Sequence, residues 1–361
     1  MTAMDLDFLR PLYDEAPSGG YVSVYLDTTP STESAATELE LRWRAARERL
    51  AADGADEATL EAVAEAFSGL GHEGDGLAVF AADGRVRLSV PLPEPPRRKI
   101  SRYAPLPHVM PLLAQLPPRV PHIRIAAAHD GAEILADPGS EAAERTMAGD
   151  QGWPVHKVSA GGWSEKRLQR SAEEAWAVNA KETAAEAARA ADRVGAEFAV
   201  VGGDVQQRAK LLDLLPPRLR ENTVIVDREV SVGDPAFEKT TAAEAARRTE
   251  DSTRARLDEF RVRMETRDLA LRRAAEGLSG TLAALRDGLA QDVLIADDPS
   301  STSMAEEPDA GEEGRSVRDR ADAILSRAAA RTGAGLFFVP PDAAPITDGV
   351  AALLRAPLAA V

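Results

Sequence analysis

Short apolar segments with the composition of β-strands alternate along this chain with long helical segments rich in alanine, arginine and glutamate. Tyr21–Leu26 and Phe198–Val201 are rich in β-branched and aromatic residues, which favour strands. Thr37–Ala52 instead carries apolar residues at helical spacing. Strands and helices in such an order bury their apolar faces by packing in layers. The sequence therefore predicts an α/β fold class.

The order of elements and the placement of proline predict three mixed α/β domains. Ten prolines lie between Pro91 and Pro121, in a connector that follows a first β-α-β segment. A second segment runs from the strand His122–Ala127 to the strand Thr223–Val226. A chain of 361 residues is also long enough for more than one domain of roughly 100 to 200 residues. The predicted domains are 1–118, 119–248 and 249–361.

The third segment combines helices and strands around an acidic insertion. Helices are predicted over Leu269–Asp287 and Val317–Ala330, and strands over Asp292–Ala296 and Gly335–Val339. Asp297–Gly314 is rich in acidic residues, serine and glycine, a composition that cannot bury enough apolar surface to order a segment. We therefore expect the insertion to be mobile.

Charge is distributed unevenly in this acidic chain, whose formal net charge is −16. Six basic residues and no acidic ones lie between Pro95 and His129, whereas nine acidic and two basic residues lie between Asp292 and Asp319. The acidic total excludes a simple nucleic-acid coat, because binding to phosphates depends on lysine and arginine. The opposite charges of these two segments favour a protein that docks on its partner in one orientation.

A second basic segment surrounds a Gly-Gly-Trp sequence at residues 161–163. Paired glycines let the backbone approach a ligand closely. The indole of Trp163 offers a face on which a base can stack, and Ser164 can cap a helix that begins after it. The helix predicted from Glu165 to about Arg193 starts with basic residues on one face. The predicted RNA-binding residues are Lys157, Gly161, Gly162, Trp163, Ser164, Lys166, Arg167 and Arg170, together with Arg97, Arg98, Lys99 and Arg102.

Three motifs in this order resemble the archaeo-eukaryotic release-factor superfamily, in the bacterial branch that includes Balon-type ribosome hibernation factors. Gly161–Arg170 is similar to the Gly-Gly-Gln loop, serine and basic helix of the family's middle domain, except at the third position. Val22–Leu26 and Gly76–Phe80 resemble strands of its first domain, and Gly288–Asp298 resembles a pattern of its last domain. The resemblance covers nearly the whole chain and implies the three-domain arrangement shared by release factors and Pelota.

The resemblance implies a factor that fills the A site of idle 70S ribosomes and contacts rRNA there. Its first domain would face the decoding centre and its middle domain the peptidyl-transferase centre, and EF-Tu is the protein partner implied for this branch. In termination factors the family's glutamine helps water to attack the peptidyl-tRNA ester. Trp163 stands in that place, and an indole offers one N–H donor and no acceptor. We therefore expect hibernation without peptide release, and no catalytic residue.

Other functions fit parts of the sequence. A rescue factor with peptidyl-tRNA hydrolase activity is the alternative within the same family. An enzyme could use Val200–Asp204, a strand that ends in glycines ahead of a helix, where α/β sheets bind phosphates. That segment lacks the glycine spacing of the known phosphate loops, so a structural turn is the preferred interpretation. A stress adaptor that does not bind ribosomes would explain the charged helical sequence at 236–286 but not the Gly-Gly-Trp segment.

Composition restricts cofactors and location. The absence of cysteine excludes disulfides and thiolate metal sites. The five histidines show no metal-ligand spacing, so we expect neither a metal nor a cofactor. No apolar run approaches the roughly 18 residues that a membrane span needs, and no secretory leader is recognisable. We expect a cytoplasmic protein with no membrane or DNA partner.

Overall fold

The computed structural model describes residues 4, 6–29, 35–68, 74–128, 131–139, 143–148, 163–228, 231–268, 270–298, 301–308, 316–341 and 346–357, without the side chains of 35–36 and 163–177. The strands are β1 (Tyr21–Asp27), β2 (Gly76–Ala82), β3 (Arg85–Leu92), β4 (Ile100–Ala104), β5 (His122–Ala128), β6 (Gly131–Asp137), β7 (Glu144–Ala148), β8 (Phe198–Gly203), β9 (Thr223–Ile225), β10 (Ala274–Glu276), β11 (Ala290–Ala296), β12 (Met304–Pro308), β13 (Ser316–Arg320), β14 (Gly335–Val339) and β15 (Val350–Leu354). The helices are α1 (Arg10–Tyr13), α2 (Ala35–Ala52), α3 (Glu57–Ser68), α4 (Met110–Leu113), α5 (Trp163–Val194), α6 (Val205–Leu214), α7 (Pro217–Glu221), α8 (Pro235–Met264), α9 (Gly277–Arg286) and α10 (Ala321–Thr332).

The chain divides into two compact units, Ala3–Leu116 with Thr253–Val361, and Pro117–Ser252. The segments 1–118 and 249–361, which the sequence predicts as separate domains, thus lie in one unit. Its two four-stranded sheets have the orders β3-β2-β1-β4 and β10-β15-β11-β14. One apolar cluster draws residues from both chain segments. A change of composition marks where a segment ends, but it does not reveal that two distant segments share a core.

Strand β1 is buried on both faces, which explains why Ser23 is the only polar residue between Tyr21 and Leu26. Alternate residues of a strand point to opposite sides of the sheet. Val22, Val24 and Leu26 pack into a cluster with α2 and α3. Tyr25, on the other face, belongs to the cluster that residues of β11 and α10 also enter. The first unit is therefore layered on both sides of the sheet that contains β1.

The second unit is built on a mixed sheet with the strand order β7-β6-β5-β8-β9. β5 pairs antiparallel with β6 and parallel with β8, which in turn pairs parallel with β9. The far half of α5 packs on this sheet through buried alanines, among them Ala187 and Ala190. Small side chains let the helix lie close to the strands. Both units contain helices and sheets, which confirms the α/β fold class.

Two predicted helices begin later than the sequence suggested. Helix α9 begins at Gly277, not Leu269, because Ala274–Glu276 pairs with β15 as strand β10. Helix α10 begins at Ala321, not Val317, because β13 pairs with β12. That hairpin also gives regular structure to part of the insertion expected to be mobile. Strand pairing outweighed local helix propensity in both places, with a distant partner for β10 and a neighbouring partner for β13.

The turn between β2 and β3 is of the two-residue type that an Asp-Gly pair favours. Asp83 and Gly84 both have positive φ, of 51° and 70°, as a two-residue hairpin turn with the twist of its strands requires. Within the described residues, no helix combines the length and apolar character needed to cross a membrane.

Strand β8 ends at Gly203, where the backbone passes unusually close to β5. Gly203 has φ of +103°, and a Cβ atom there would lie 2.1 Å from the carbonyl oxygen of Ala127. The N–H of Asp204 donates to that same oxygen at 2.8 Å. Only glycine fits this position, because a side chain would separate two hydrogen-bonded backbones.

Gly203→Ala should lower the free energy of unfolding by at least about 2 kcal/mol, because the new methyl group collides with backbone that cannot move away. Urea denaturation followed by circular dichroism measures this loss. Gly195→Ala is the matched control, since Gly195 also has positive φ, of +63°, but nothing lies within 4 Å of its added Cβ. The control should cost only about 1 kcal/mol. Equal losses in the two variants would contradict the steric argument.

Candidate nucleic-acid interface

The Gly-Gly-Trp segment leads directly into helix α5, which begins at Trp163. Trp163, expected in the loop, is thus the first helical residue, and Ser164 lies inside the first turn instead of before it. Lys157, Gly161 and Gly162 lie outside the described residues, as do the side chains of Trp163, Ser164, Lys166, Arg167 and Arg170.

The backbone of α5 supports the predicted grouping of its basic positions. Residues three and four apart in a helix share a face, so positions 166, 167 and 170 project from adjacent turns. The helix runs on to Val194, and its far half is fixed to the sheet by buried residues such as Ala184 and Ala187. A helix whose far half is held on the sheet therefore carries these three positions at its near end.

Arg97, Arg98 and Lys99 form an exposed basic turn between β3 and β4 in the other unit. The turn is held in place because the Gln115 side chain donates to the carbonyl oxygens of Glu94 and Pro95, at 3.0 and 2.8 Å. The Arg97 guanidinium donates to Asp297 at 2.9 Å, yet more than half of its side chain stays exposed. The turn therefore presents positive charge to solvent, and the backbone beside it is held by hydrogen bonds from Gln115.

Arg102 is the fourth residue of this segment that the sequence predicts to bind RNA, but its side chain forms an ion pair within the protein. It lies on β4 and forms an ion pair with Asp319, whose side chain is only 1% exposed. Asp319 also accepts a hydrogen bond from the Leu106 N–H at 2.9 Å. A buried carboxylate needs such partners to remain charged. The structure thus gives Arg102 a part in holding β4 against β13.

A second buried charged group, which the sequence did not indicate, lies beside this pair. The Asp322 carboxylate accepts hydrogen bonds from Arg320, with Nε at 3.1 Å from both oxygens. His108 places its Nε2 atom 3.4 Å from the same carboxylate. Burial alone would raise the pKa of Asp322, but the hydrogen bonds from His108 and Arg320 lower it to about 2. More than 200 residues separate His108 from Asp322, so sequence spacing gave no signal of this contact.

The glycine-rich end of β8 does not offer a free phosphate site. Asp204 is the N-cap of α6, and its carboxylate accepts hydrogen bonds from the N–H groups of Gln206 and Gln207, at 3.0 and 2.9 Å. These are the donors that a bound phosphate would use. The geometry therefore favours a structural turn over an enzyme site here. The described residues also contain no group of side chains able to hold a metal ion.

Comparison with known proteins finds a family match in the middle of the chain. Residues 121–265 match the model of bacterial archaeo-eukaryotic release factor family 2, a span that includes the Gly-Gly-Trp segment. The resemblance to a bacterial archaeo-eukaryotic release-factor-like family, predicted from the sequence, is thereby confirmed over this part of the chain. The assignment depends on that match.

Individual relatives extend over most of the chain. Uncharacterized protein Rv2629 of Mycobacterium tuberculosis (strain ATCC 25618 / H37Rv) is 29% identical over 359 residues, covering 94% of each chain. Among solved structures, Archaeoglobus fulgidus Pelota aligns with 99% of this chain and 94% of its own, at 12% identity and a TM-score of 0.38. An archaeal translation termination factor aligns over 96% of each chain, at 15% identity and a TM-score of 0.24.

Arg102→Ala should lower the free energy of unfolding by roughly 2 to 4 kcal/mol, because it leaves the Asp319 carboxylate buried without its cation. Thermal and urea unfolding of the full chain measure the change. Lys99→Ala, on the exposed turn nearby, is the control and should stay within about 0.5 kcal/mol of the parent. Adding Asp319→Asn to Arg102→Ala should recover part of the loss, since a neutral amide is easier to bury than a carboxylate. A parent-like Arg102→Ala protein would contradict the structural role.

Proposed function

We propose that this protein is a ribosome-binding factor that occupies the A site of idle 70S ribosomes and silences them without releasing peptide. The observation that carries the proposal is the family match over residues 121–265, within which a Gly-Gly sequence precedes a helix with basic positions 166, 167 and 170. The family's own description is that of a release factor, a class that acts on ribosomes.

Contact with rRNA would come from two basic surfaces, one in each unit. Positions 157–170 supply one, and Arg97, Arg98 and Lys99 supply the other, while Arg102 is held by Asp319. Phosphate contacts by lysine and arginine give affinity without sequence specificity. The chain has a net charge of −16, so most of its surface repels RNA, and docking is restricted to the basic surfaces. EF-Tu is the protein partner proposed, from the family resemblance, and the cytoplasm is the location proposed.

The absence of peptide release follows from the residue that replaces glutamine. An amide side chain both donates and accepts hydrogen bonds, so it can orient a water molecule for attack, whereas an indole only donates. The flat ring of Trp163 is suited instead to stacking on a base. The proposed role of this position is therefore binding, with no part in catalysis.

A rescue factor that hydrolyses peptidyl-tRNA is the second candidate, and the same Gly-Gly segment is the feature that favours it. A stress adaptor that does not bind ribosomes is the third. Binding to ribosomes separates the first two candidates from the third, and release of peptide separates the first from the second.

The purified protein should cosediment with 70S ribosomes. Its affinity should fall steeply as the salt concentration rises, because lysine and arginine side chains that bind RNA phosphates release the counterions of those phosphates. Combined substitution of Lys166, Arg167 and Arg170 by glutamate should abolish most binding at moderate salt. At salt concentrations low enough for this variant still to bind, its plot of log affinity against log salt concentration should have a slope shallower than that of the parent by roughly 2 to 3.

The matched control reverses three exposed charges elsewhere in the same unit, Lys181, Arg220 and Lys239. It carries the same change in net charge, so general repulsion from RNA affects both variants equally. The α5 contact is supported if the control variant binds ribosomes like the parent and the variant at positions 166, 167 and 170 binds them weakly. Equal binding by all three proteins would exclude that contact, and no cosedimentation at any salt concentration would favour the adaptor.

Ribosome complexes that carry labelled peptidyl-tRNA should release no more peptide with this protein than with buffer, because Trp163 cannot accept a hydrogen bond from an attacking water. The assay needs a known release factor as its positive control. Trp163→Gln restores the family's Gly-Gly-Gln sequence and is the informative variant. Release by the parent would establish the rescue role, whereas release by the variant alone would locate the loss of activity at this side chain.

A further inference from the structure

The first unit contains a cavity of about 1010 Å³ that the proposed ribosome contacts do not explain. Its lining includes residues of the basic turn and of β4, of the ends of β11 and β14, and of the start of α10. Ligand pockets in proteins typically have volumes of roughly 300 to 1,000 Å³. The cavity therefore has room for a small organic molecule.

The cavity lies where α/β sheets commonly bind ligands. β11 and β14 are parallel neighbours, and their carboxyl ends, at Ala296 and Phe338, line the cavity. The crevice outside the carboxyl ends of parallel strands is the usual ligand site in open α/β sheets. The fold thus places the cavity at a preferred position.

The charges around the cavity favour an anion. Its lining includes six basic and four acidic side chains, in a chain whose net charge is −16. Three of the carboxylates already have partners: Asp297 pairs with Arg97, Asp322 with Arg320, and Asp348 accepts from the Leu278 N–H at 3.1 Å.

Two cations of the lining are exposed, and one of them, Lys99, interacts electrostatically with Asp27. Among the described residues, neither Arg49 nor Lys99 has a carboxylate within ion-pair distance, and both are exposed. Arg49 comes from α2 and Lys99 from the basic turn, so two separate elements present positive charge to the same cavity. This arrangement suits a ligand with more than one anionic group.

The rest of the lining suits a flat, largely apolar group. Ile295, Leu325, Phe338 and Val350 line the cavity. A heterocyclic base presents a flat, largely apolar face, so it fits this lining.

We propose that this cavity binds a free nucleotide with at least two phosphates. The phosphates lie against Arg49 and Lys99, and the base packs on the apolar lining near Phe338. Binding here uses residues of the first unit alone and requires no ribosome. The proposal therefore goes beyond the proposed function and can fail independently of it.

Isothermal titration of the full chain with ADP and GDP tests the proposal directly. We expect saturable binding of at least one of them with one site per chain. Combined Arg49→Ala and Lys99→Ala substitution should weaken that binding at least about tenfold, because it removes two charge-assisted contacts. Lys181→Ala with Arg220→Ala, the same loss of charge in the other unit, should leave binding unchanged.

Three results would overturn the proposal. The first is no saturable binding of either nucleotide. The second is binding of pyrophosphate as tight as that of the nucleotides, which would mean an anion site with no place for a base. The third is binding of an oligoribonucleotide without binding of ADP or GDP, which would mean that the basic residues of the cavity bind RNA.

Discussion

The apolar cluster shared by the two chain-distant segments of the first unit is the constraint on which the rest of that unit depends. Tyr25 of β1 packs edge-on against Phe80, with ring centroids 5.8 Å apart, in the cluster that also holds Val293 of β11. The Tyr25 hydroxyl donates to the carbonyl oxygen of His108 at 2.6 Å and accepts from the Leu112 N–H at 3.2 Å. Burial raises the pKa of Tyr25 well above its ordinary value, so the hydroxyl stays neutral and its hydrogen bonds persist. Residues near 110 are thereby fixed against β1, and the proposed nucleotide cavity acquires one of its walls.

Ion pairs then decide which basic residues remain available for ligands. The side chains of Arg102 and Arg320 are bound to the carboxylates of Asp319 and Asp322, both largely buried. An ion pair in the interior is costly to break, because it leaves a charge without either water or a partner. Lys99 is exposed and close in sequence to Arg102, yet it has no such partner among the described residues. Clusters of basic residues in sequence therefore overstate a binding surface, and only burial and pairing separate structural arginines from those that can reach RNA or phosphate.

Local signals in the sequence predicted local structure well. The β2–β3 turn follows from Asp83–Gly84, because two positive φ values select these residue types, and the long helix α5 was displaced by only two residues at its start. Strand β13 was read as helix although its partner β12 lies next to it in sequence, and strand β10 was read as helix because its partner β15 is distant in sequence. For the same reason the His108–Asp322 contact and the cavity were not foreseen. Of the predicted RNA-binding residues, the structure describes the side chains of Arg97, Arg98, Lys99 and Arg102, and it brings only the first three to an exposed turn.

The two proposals use different properties of the same acidic chain. Ribosome binding would depend on many weak phosphate contacts, which salt screens strongly because the cations involved are exposed. Nucleotide binding would depend on a formed cavity, where an apolar lining contributes affinity that salt hardly changes. Lys99 is common to both, since it belongs to the exposed basic turn and to the lining of the cavity. A nucleotide bound there would neutralise part of the turn's charge, so the two ligands would compete. Competition of this kind is reciprocal: ribosomes would weaken nucleotide binding by the same factor by which the nucleotide weakens ribosome binding.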